Sequence, residues 1–391
     1  MEVFTLMNLD FKPPSEPKVR AYLVGGAVRD FLLGKPILER DWVVLGESSD
    51  SMLKKGFLPV GKDFPVFLHP LTREEYALAR TERKSAPGYR GFVFHASPDV
   101  TLEEDLGRRD LTINAMAMDS QGHIFDPYGG LEDIKKQSLK HVTAAFREDP
   151  VRVLRTARFA ATLFPMGFTI NPETNALMRE MVNNGEVSAL VPERVWAETL
   201  KSLKTQHPST FFDALFRCHA LGVIFPEIHS ATNWGLKALD VAATQTEDLS
   251  VRFSTLVHDL ENTDQLQAFL KRLRIPVSFQ KLALKVMRLH PLFPDILKLD
   301  GNLIMKLMSE LEAFRKSSDF EAYLSACAAI YLARGQDPLM VQNNVSWLRQ
   351  ARDEANKFTA GPLLASGLTG EALGKALFRQ RAVAVDSLKL S

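Results

Sequence analysis

Glu39 and Asp41 stand two positions apart at the start of an apolar run, a spacing at which two carboxylates can act together. On a β-strand, residues i and i+2 point to one face, about 7 Å apart along the chain. Carboxylates placed in this way can share divalent cations with a triphosphate, because hard cations prefer oxygen ligands. The alternative is a pair of solvated acids near a strand start. A glycine turn lies only one predicted strand away, and this favours metal binding.

That glycine turn is Gly25-Gly26, between a short apolar run at 21–24 and a helix-like stretch at 27–33. Glycine lets the backbone approach a ligand closely, and the free N–H groups at a helix start bind anions. Arg29 lies one turn into the helix and can add a bidentate phosphate contact. The alternative is a tight turn that simply needs glycine. The pattern is neither the GxGxxG of a dinucleotide fold nor a Walker A loop.

A third group, Arg108-Arg109-Asp110, precedes an apolar stretch that we predict to be helical. In one interpretation Arg109 binds phosphate and Asp110 binds a ribose hydroxyl. In the other, Asp110 is the N-cap of the helix that follows. The residues alone leave both interpretations open.

An arginine-rich helix is predicted over 150–164, with Pro150 at the first helical position and Asp149 as its N-cap by default. Its apolar and charged residues fall on opposite sides. The apolar side holds Val153, Leu154, Ala157, Ala160, Ala161 and Phe164, and the charged side holds Glu148, Asp149, Arg152, Arg155 and Arg158. The charged side has three arginines and no lysine. Because guanidinium groups suit phosphates and base edges, we predict that this side faces an anion.

Asp149 and Arg152 together present an acceptor beside a donor. Cytosine and adenine offer an amino group next to a ring nitrogen acceptor, which matches that order. Guanine and uracil present the reverse, a carbonyl beside an N–H. The pair is therefore predicted to accept C and A and to reject G and U, since a rejected base would leave buried polar groups unpaired.

The elements that must position these residues change in character along the chain. Strands are predicted at 21–24, 41–45, 66–68, 75–79, 92–94 and 123–125, and the polar, basic segment 81–91 is predicted to be a mobile loop. From about Asp149 the apolar spacing is helical, at 150–164, 173–182, 192–204 and 209–220 and then onward to the end. The predicted fold class is α+β, a small mixed head followed by a long helical body.

Composition limits the kind of protein further. The 391 residues are 46% hydrophobic and 24% charged, which is typical of a globular chain of several domains. No apolar run approaches the roughly 18 residues of a membrane span, and we expect no signal peptide. With only two cysteines, a reducing cytoplasm is expected. Because the net charge is +1, a nucleic-acid partner would need a local basic surface.

Six motifs occur in order: GGAVRD, E-x-D, RRDLTINAM, DPYGGLEDI (126–134), EDPVRVLRTAR and PERVWAE (192–198). Together they resemble the class II tRNA nucleotidyltransferases, the CCA-adding enzymes of the polymerase-β-like superfamily. The run FPVFLHP…EEYALARTERK (64–84) is similar to the bacterial multifunctional CCA proteins in particular. The resemblance implies a polymerase-β-like nucleotidyltransferase head with helical neck, body and tail. The predicted division is an extension at 1–20, the head at 21–145, the neck at 146–220, and the body and tail at 221–391.

The resemblance also implies a role for each candidate residue. Gly26 and Arg29 would hold the triphosphate, and Glu39 and Asp41 would bind two Mg²⁺ ions. Arg109 would contact the nucleotide, with Asp110 at the ribose. Asp149 and Arg152 would be the template for the incoming base, and Arg155 and Arg158 would complete the nucleotide pocket. The 81–91 loop would help the switch from C to A addition.

The implied reaction adds C, C and A to tRNA 3′ ends without a nucleic-acid template. The 3′-hydroxyl attacks the α-phosphate of CTP or ATP and releases pyrophosphate, and the helical regions hold the tRNA by its shape and backbone. A monomer is favoured. The alternatives are a bacterial poly(A) polymerase or a specialised A- or CC-adding relative, and, less favoured, a non-catalytic RNA-binding protein.

Two departures from the family pattern matter. The family usually has aspartate at the first metal position, where this sequence has Glu39, so we expect metal binding with altered geometry. Multifunctional relatives carry an HD phosphohydrolase domain in their C-terminal region. Here only Val257-His258-Asp259-Leu260 remains, in a degenerate HD-like region near 250–290, and no histidine lies between His258 and His290. We therefore predict no phosphohydrolase activity.

Overall fold

The computed structural model describes residues 17–60, 65–84, 92–230 and 234–389. The chain forms two compact units. The first consists of Met1–Val191 and Ala214–Val223, and the second of Pro192–Asp213 and Ile224–Ser391. All of the candidate residues around the glycine turn and the arginine-rich helix belong to the first unit.

The strands of the first unit are short and mostly antiparallel. They are β1 (Arg20–Val24), β2 (Asp41–Leu45), β3 (Leu58–Pro59), β4 (Val66–Leu68), β5 (Glu75–Leu78), β6 (Arg80–Lys84), β7 (Phe92–Ala96), β8 (Ala117–Met118), β9 (Ile124–Phe125), β10 (Ser138–Leu139) and β11 (Thr169–Ile170). Seven of them form one sheet in the order β3-β4-β5-β2-β1-β8-β9, in which β2 and β5 are parallel. Separate pairs are formed by β6 with β7 and by β10 with β11.

The two central strands, β1 and β2, bury both of their faces. Leu23 and Trp42 belong to one apolar cluster, and Tyr22 and Val43 belong to another. Because successive side chains on a strand point to opposite faces, a strand covered on both sides has a continuous apolar sequence. This is why AYLV and DWVVL stand out as strands in the sequence.

The helices of the first unit frame this sheet and continue beyond it. They are α1 (Gly26–Leu32), α2 (Ser49–Lys54), α3 (Leu102–Gly107), α4 (Gly130–Lys135), α5 (Val151–Leu163) and α6 (Pro172–Asn183). Short 3₁₀ turns occupy Thr112–Asn114, Ala144–Glu148, Phe164–Met166 and Glu186–Ala189. The arginine-rich helix is α5, and its predicted apolar side is buried except for Phe164, which lies beyond the helix end and is 48% exposed.

Three expectations about this unit were wrong. The segment after Asp110 is a 3₁₀ turn followed by β8 rather than a helix, because it is buried on every side and Ala117–Met118 pairs with β1. The predicted loop at 81–91 begins as a strand, since residues 81–84 pair with β7, while 85–91 lie outside the described residues. The stretch from Asp149 onward is not wholly helical, because Thr169–Ile170 pairs with Ser138–Leu139.

The described secondary structure of the second unit is helical. Near the boundary between the units are α7 (Pro192–Leu203), α8 (Ser209–Arg217) and α9 (Leu221–Ile224), followed by α10 (Pro226–Ser230), α11 (Trp234–Gln245), α12 (Leu249–Val257), α13 (Thr263–Arg272), α14 (Val277–Leu289), α15 (Gly301–Glu310), α16 (Ser317–Ala333), α17 (Pro338–Asn356), α18 (Ala360–Ala365) and α19 (Gly370–Ser387), with a 3₁₀ segment at His290–Lys298. Its core includes Val286, Phe293, Ile304 and Phe320. Among the described helices, none is long and apolar enough to cross a membrane. The α+β class, a mixed head with a helical body, is confirmed.

Candidate active site

The glycine turn between β1 and α1 lies directly against Arg109. Gly25 has a φ of 69°, a conformation that side chains disfavour. A Cβ added at Gly25 would stand 2.9 Å from Arg109 Nη1, so glycine suits the backbone angle and a larger residue would displace the end of the Arg109 side chain. At Gly26 an added Cβ would meet Arg29 Nη2 at 3.5 Å, an ordinary contact. The structure therefore brings two predicted nucleotide-binding groups together.

The carboxylate pair lies beside the same arginine. Asp41 is the first residue of β2, while Glu39 precedes the strand, so their proximity does not come from a shared strand face as the spacing predicted. Desolvation is the largest influence on the pKa of Asp41 and raises it; the positive charge of Arg109 lowers it, and the negative charge of Glu39 raises it. The three charges therefore lie within electrostatic reach of one another.

This donor set fits Mg²⁺. Burial is the main cause that raises the pKa of Asp41, and the negative charge of Glu39 adds to it. A bound cation would relieve both effects, and oxygen ligands are the ones Mg²⁺ prefers. Within the described ranges no three His, Cys, Asp or Glu side chains are grouped so that they could hold a metal by themselves.

A buried carboxylate that the sequence reasoning missed holds Arg109 in place. Asp105, on α3, is fully buried and accepts hydrogen bonds from Arg109 Nη2 at 3.1 Å and Arg108 Nη2 at 2.7 Å. It also accepts from the backbone N–H of Arg80, at the start of the β6–β7 hairpin, at 3.2 Å. The signal was present in the spacing, since an acid three and four residues before two arginines can pair with both.

Arg29 is a buried residue of α1 whose guanidinium is bonded to two neighbouring polar side chains. Its Nη1 donates to Asn114 Oδ1 at 2.7 Å, and its Nε and Nη2 donate to Asp30 at 2.9 and 2.8 Å. Its guanidinium also lies over the ring of Phe159, 5.1 Å from the centroid, which links α1 to α5.

Asp110 caps no helix, and its partner is on α5. Its Oδ2 accepts from Arg155 Nε at 2.7 Å, and its Oδ1 accepts from Asn114 Nδ2 at 3.1 Å and from the backbone N–H of Leu111 at 2.9 Å. Burial alone would raise the pKa of Asp110, but the positive charge of Arg155 and these hydrogen bonds hold it well below its usual range. Asp110 is therefore a permanent anion between the head and α5.

The predicted template residues lie at the start of α5. Asp149 Oδ1 accepts from the backbone N–H of Val151 at 3.0 Å, which is the capping bond expected from the sequence. Arg152 is buried, and its guanidinium donates to the carbonyls of Ala145 at 2.9 Å and Arg108 at 2.5 Å. The second bond connects Arg152 to the residue next to Arg109.

Phe159 is a further residue that the sequence reasoning missed. Three guanidinium groups lie over its buried ring, those of Arg158 at 4.1 Å, Arg29 at 5.1 Å and Arg155 at 5.7 Å from the centroid. An aromatic face attracts cations and orders them without neutralising their charge. Phe159 lies on the arginine side of α5. The sequence pattern divides this helix into an apolar and a charged side, and this division assigned Phe159 no role.

Within the first unit these contacts connect most of the candidate residues in one cluster: Gly26, Arg29, Glu39, Asp41, Arg109, Asp110, Arg155 and Arg158. Arg152 joins it through the carbonyl of Arg108, whereas the bond described for Asp149 is to the backbone N–H of Val151. The cluster offers a carboxylate pair, a glycine turn with an arginine against it, and a helix carrying three further arginines. Such a set can bind a nucleoside triphosphate and the metal ions that accompany it, and transfer its nucleotidyl group.

The fold and this cluster define a nucleotidyltransferase head. Residues 21–140 match the family described as "Poly A polymerase head domain", and residues 167–232 match "Probable RNA and SrmB- binding site of polymerase A".

The "Multifunctional CCA protein" of Methylococcus capsulatus is 48% identical, covering 95% of both chains. That of Thioalkalivibrio sulfidiphilus is 46% identical, covering 95% of this chain and 99% of the relative. The chain belongs to the family of multifunctional CCA proteins, as its motifs indicated.

Among solved structures, the Thermotoga maritima CCA-adding enzyme complexed with tRNA superposes with a TM-score of 0.70 at 20% identity, covering 94% of this chain and 88% of that one. This likeness confirms the fold of a CCA-adding enzyme.

Proposed function

We propose that this protein adds C, C and A to the 3′ ends of tRNA, using CTP and ATP and releasing pyrophosphate, in the cytoplasm. The observation that carries the proposal is the placement of Asp41 and Glu39 beside Arg109, which itself lies against the glycine turn. Membership of the CCA family and the fold shared with an enzyme complexed with tRNA support the choice of substrate.

The residues present divide the work of the reaction. Arg109 and Arg29 bind the triphosphate, with the glycine turn leaving room for it. Glu39 and Asp41 would hold Mg²⁺, which supplies charge neutralisation at the reacting phosphate and activation of the attacking oxygen. Asp110 stays ionised and fixes Arg155, while Asp149 and Arg152 present an acceptor and a donor to the base.

The decisive assay uses purified protein and tRNA lacking CCA, with labelled CTP and ATP, in the presence and absence of Mg²⁺. CTP alone should give two additions, and both nucleotides together should give the complete CCA end. Long A tails from ATP alone would instead indicate a poly(A) polymerase. Binding of tRNA without incorporation would indicate a non-catalytic RNA-binding protein.

We also propose that this chain has no HD phosphohydrolase activity, because an arginine occupies the neighbourhood of His258. His258 donates from Nδ1 to the carbonyl of Thr255 at 2.7 Å, which leaves Nε2 as an acceptor for Arg334 Nη2 at 3.2 Å. His290, which the sequence spacing gave no reason to group with it, packs edge-on at 5.0 Å between ring centroids.

Burial is the main cause that lowers the pKa of His258 to about 3 and that of His290 to about 4, so both imidazoles are neutral at pH 7. A neutral imidazole is a metal ligand only if a ring nitrogen offers its lone pair, and Arg334 already takes the one on His258 Nε2. A guanidinium beside Asp259, 3.7 Å away, also repels an incoming cation.

Hydrolysis of 2′,3′-cyclic AMP and of pyrophosphate should therefore stay at background with Ni²⁺ or Mn²⁺. A metal-stimulated hydrolysis that disappears in His258→Ala, while CCA addition continues in the same preparation, would show that the site is active.

A further inference from the structure

Asn114 lies between two charged groups of the candidate active site. Its Oδ1 accepts from Arg29 Nη1 at 2.7 Å, and its Nδ2 donates to Asp110 Oδ1 at 3.1 Å. All three residues are buried, with exposures of 5–7%. The opposite amide orientation would place an N–H against the guanidinium and an oxygen against the carboxylate, so the partners fix the orientation.

The bonds extend in both directions along a chain of alternating charge. Asp30 accepts from Arg29, which donates to Asn114, which donates to Asp110, which accepts from Arg155. Arg29 is on α1 beside the glycine turn, and Arg155 is on α5. Asn114 is the one neutral member described in this series. It connects Arg29, which we propose to bind the triphosphate, to Asp110 and through it to Arg155 on the base-selecting helix α5.

Among uncharged side chains, an amide suits this place because it offers an acceptor and a donor on one rigid plane. A hydroxyl is too short to reach both partners from the same backbone position. A carboxylate would satisfy Arg29 but would bring a second negative charge against Asp110.

We propose that Asn114 is a positioning residue for nucleotide transfer, whose amide sets the guanidinium of Arg29 and the carboxylate of Asp110 in their working orientation. This inference rests on the proposed function. Arg29 is held for the triphosphate, and Asp110, through Arg155, holds α5 in register with it. Asn114 itself touches neither substrate nor metal.

The charged groups around Asn114 come from four directions. Arg29 of α1 and Asp110 bond to Asn114 directly, and behind them stand Asp30, paired with Arg29, and Arg155 of α5, paired with Asp110. Further out, Arg109 lies against Gly25, Asp133 of α4 bonds to Thr112, and Arg158 of α5 shares the ring of Phe159 with Arg29. Among these groups, Asp110 is the carboxylate that a carboxyl introduced at position 114 would meet directly.

The test is the pH profile of Asn114→Asp. Two carboxylates at this distance cannot both ionise without cost, so the pair takes up one proton as the pH falls. The protonated pair regains an O–H donor toward Asp110 and keeps the acceptor for Arg29. Because Arg29 faces position 114 and Arg155 pairs with Asp110, both favour ionised carboxylates, and the proton is taken up toward the acid end. The rate of CTP addition, expressed as a ratio to the wild-type rate, should therefore rise about fivefold or more between about pH 8 and about pH 5.

Asn114→Ala is the matched control. It removes both bonds and introduces no titrating group, so we expect kcat/KM for CTP to fall about tenfold or more at every pH, because hydrogen bonds to charged groups are lost. The KM for tRNA should not change. Thermal melts of both variants show whether they remain folded.

A flat ratio for a folded Asn114→Asp, or a wild-type kcat/KM for Asn114→Ala, would overturn the inference. Should the aspartate variant fail to fold, the alanine variant decides alone, by the split between the CTP and tRNA constants. Failure of the proposed function is distinct, because wild-type protein would then add no nucleotide at any pH.

Discussion

Asp41→Ala is expected to lower the rate of nucleotide addition by about a thousandfold or more, equivalent to about 4 kcal/mol of transition-state stabilisation. Asp41 is the first residue of β2, within electrostatic reach of Glu39 and Arg109. Under the proposed metal assignment, the substitution would leave Glu39 as the one carboxylate of the pair to hold Mg²⁺ at the reacting phosphate. Single-turnover incorporation of labelled CTP measures the loss.

The binding of tRNA should survive in Asp41→Ala, since we assign it to the helical body. Asp50→Ala, which removes an exposed carboxylate of α2, serves as the matched control and should retain full activity. Glu39→Asp should be tolerated or even faster, because it restores the shorter ligand usual in the family. Near-wild-type incorporation by Asp41→Ala would refute the metal site.

Arg152→Ala is expected to relax the choice of base, raising UTP and GTP incorporation relative to CTP and ATP by about tenfold. The absolute rates for C and A should fall as well. Its guanidinium is held by the carbonyls of Ala145 and Arg108, so it is presented at a fixed place at the start of α5. Incorporation of all four nucleotides, measured separately and in competition, tests this.

Two substitutions at Asp149 distinguish its role as a helix N-cap from its proposed role in base selection. Asp149→Ala loses the bond to Val151 N–H, so it should lose about 1 kcal/mol of stability as well as selectivity. Asp149→Asn keeps the cap, because asparagine is an equally good N-cap, but it puts an N–H donor in place of a carboxylate acceptor, beside the donor of Arg152. It should therefore lose selectivity with an unchanged melting temperature. Unchanged selectivity in both variants would leave Asp149 as a cap only.

Local sequence patterns predicted the secondary structure where the burial of a single element determines its pattern of apolar residues. The apolar runs of β1 and β2 and the three-and-four spacing of α5 predicted these elements closely, because burial imposes the pattern directly. The strand β6 was missed because its sequence, RTERK, is polar, and the strand depends on pairing with β7. The helix expected after Asp110 failed because tertiary burial decided the structure of that segment.

Residues of the candidate site that meet each other only through the fold were the hardest to predict from the sequence. Asn114 bonds to an arginine from another part of the chain, and no spacing rule predicts Arg29 as its partner, 85 positions away. His290 escaped notice for the same reason, since it meets His258 only through the packing of the body. Asp105 differs, because its partners Arg108 and Arg109 lie only three and four positions further on.

The path of the chain between the two units limits how the protein can be divided. The chain leaves the first unit after Val191 and enters the second. It then returns to the first unit for Ala214–Val223. A single proteolytic cut therefore cannot release either unit whole. Within the first unit, Ser138–Leu139 pairs with Thr169–Ile170, and Asp110 pairs with Arg155. A chain shortened to the head alone would bury Asp110 without its counter-ion, so any fragment meant to fold independently must extend through α5 and β11.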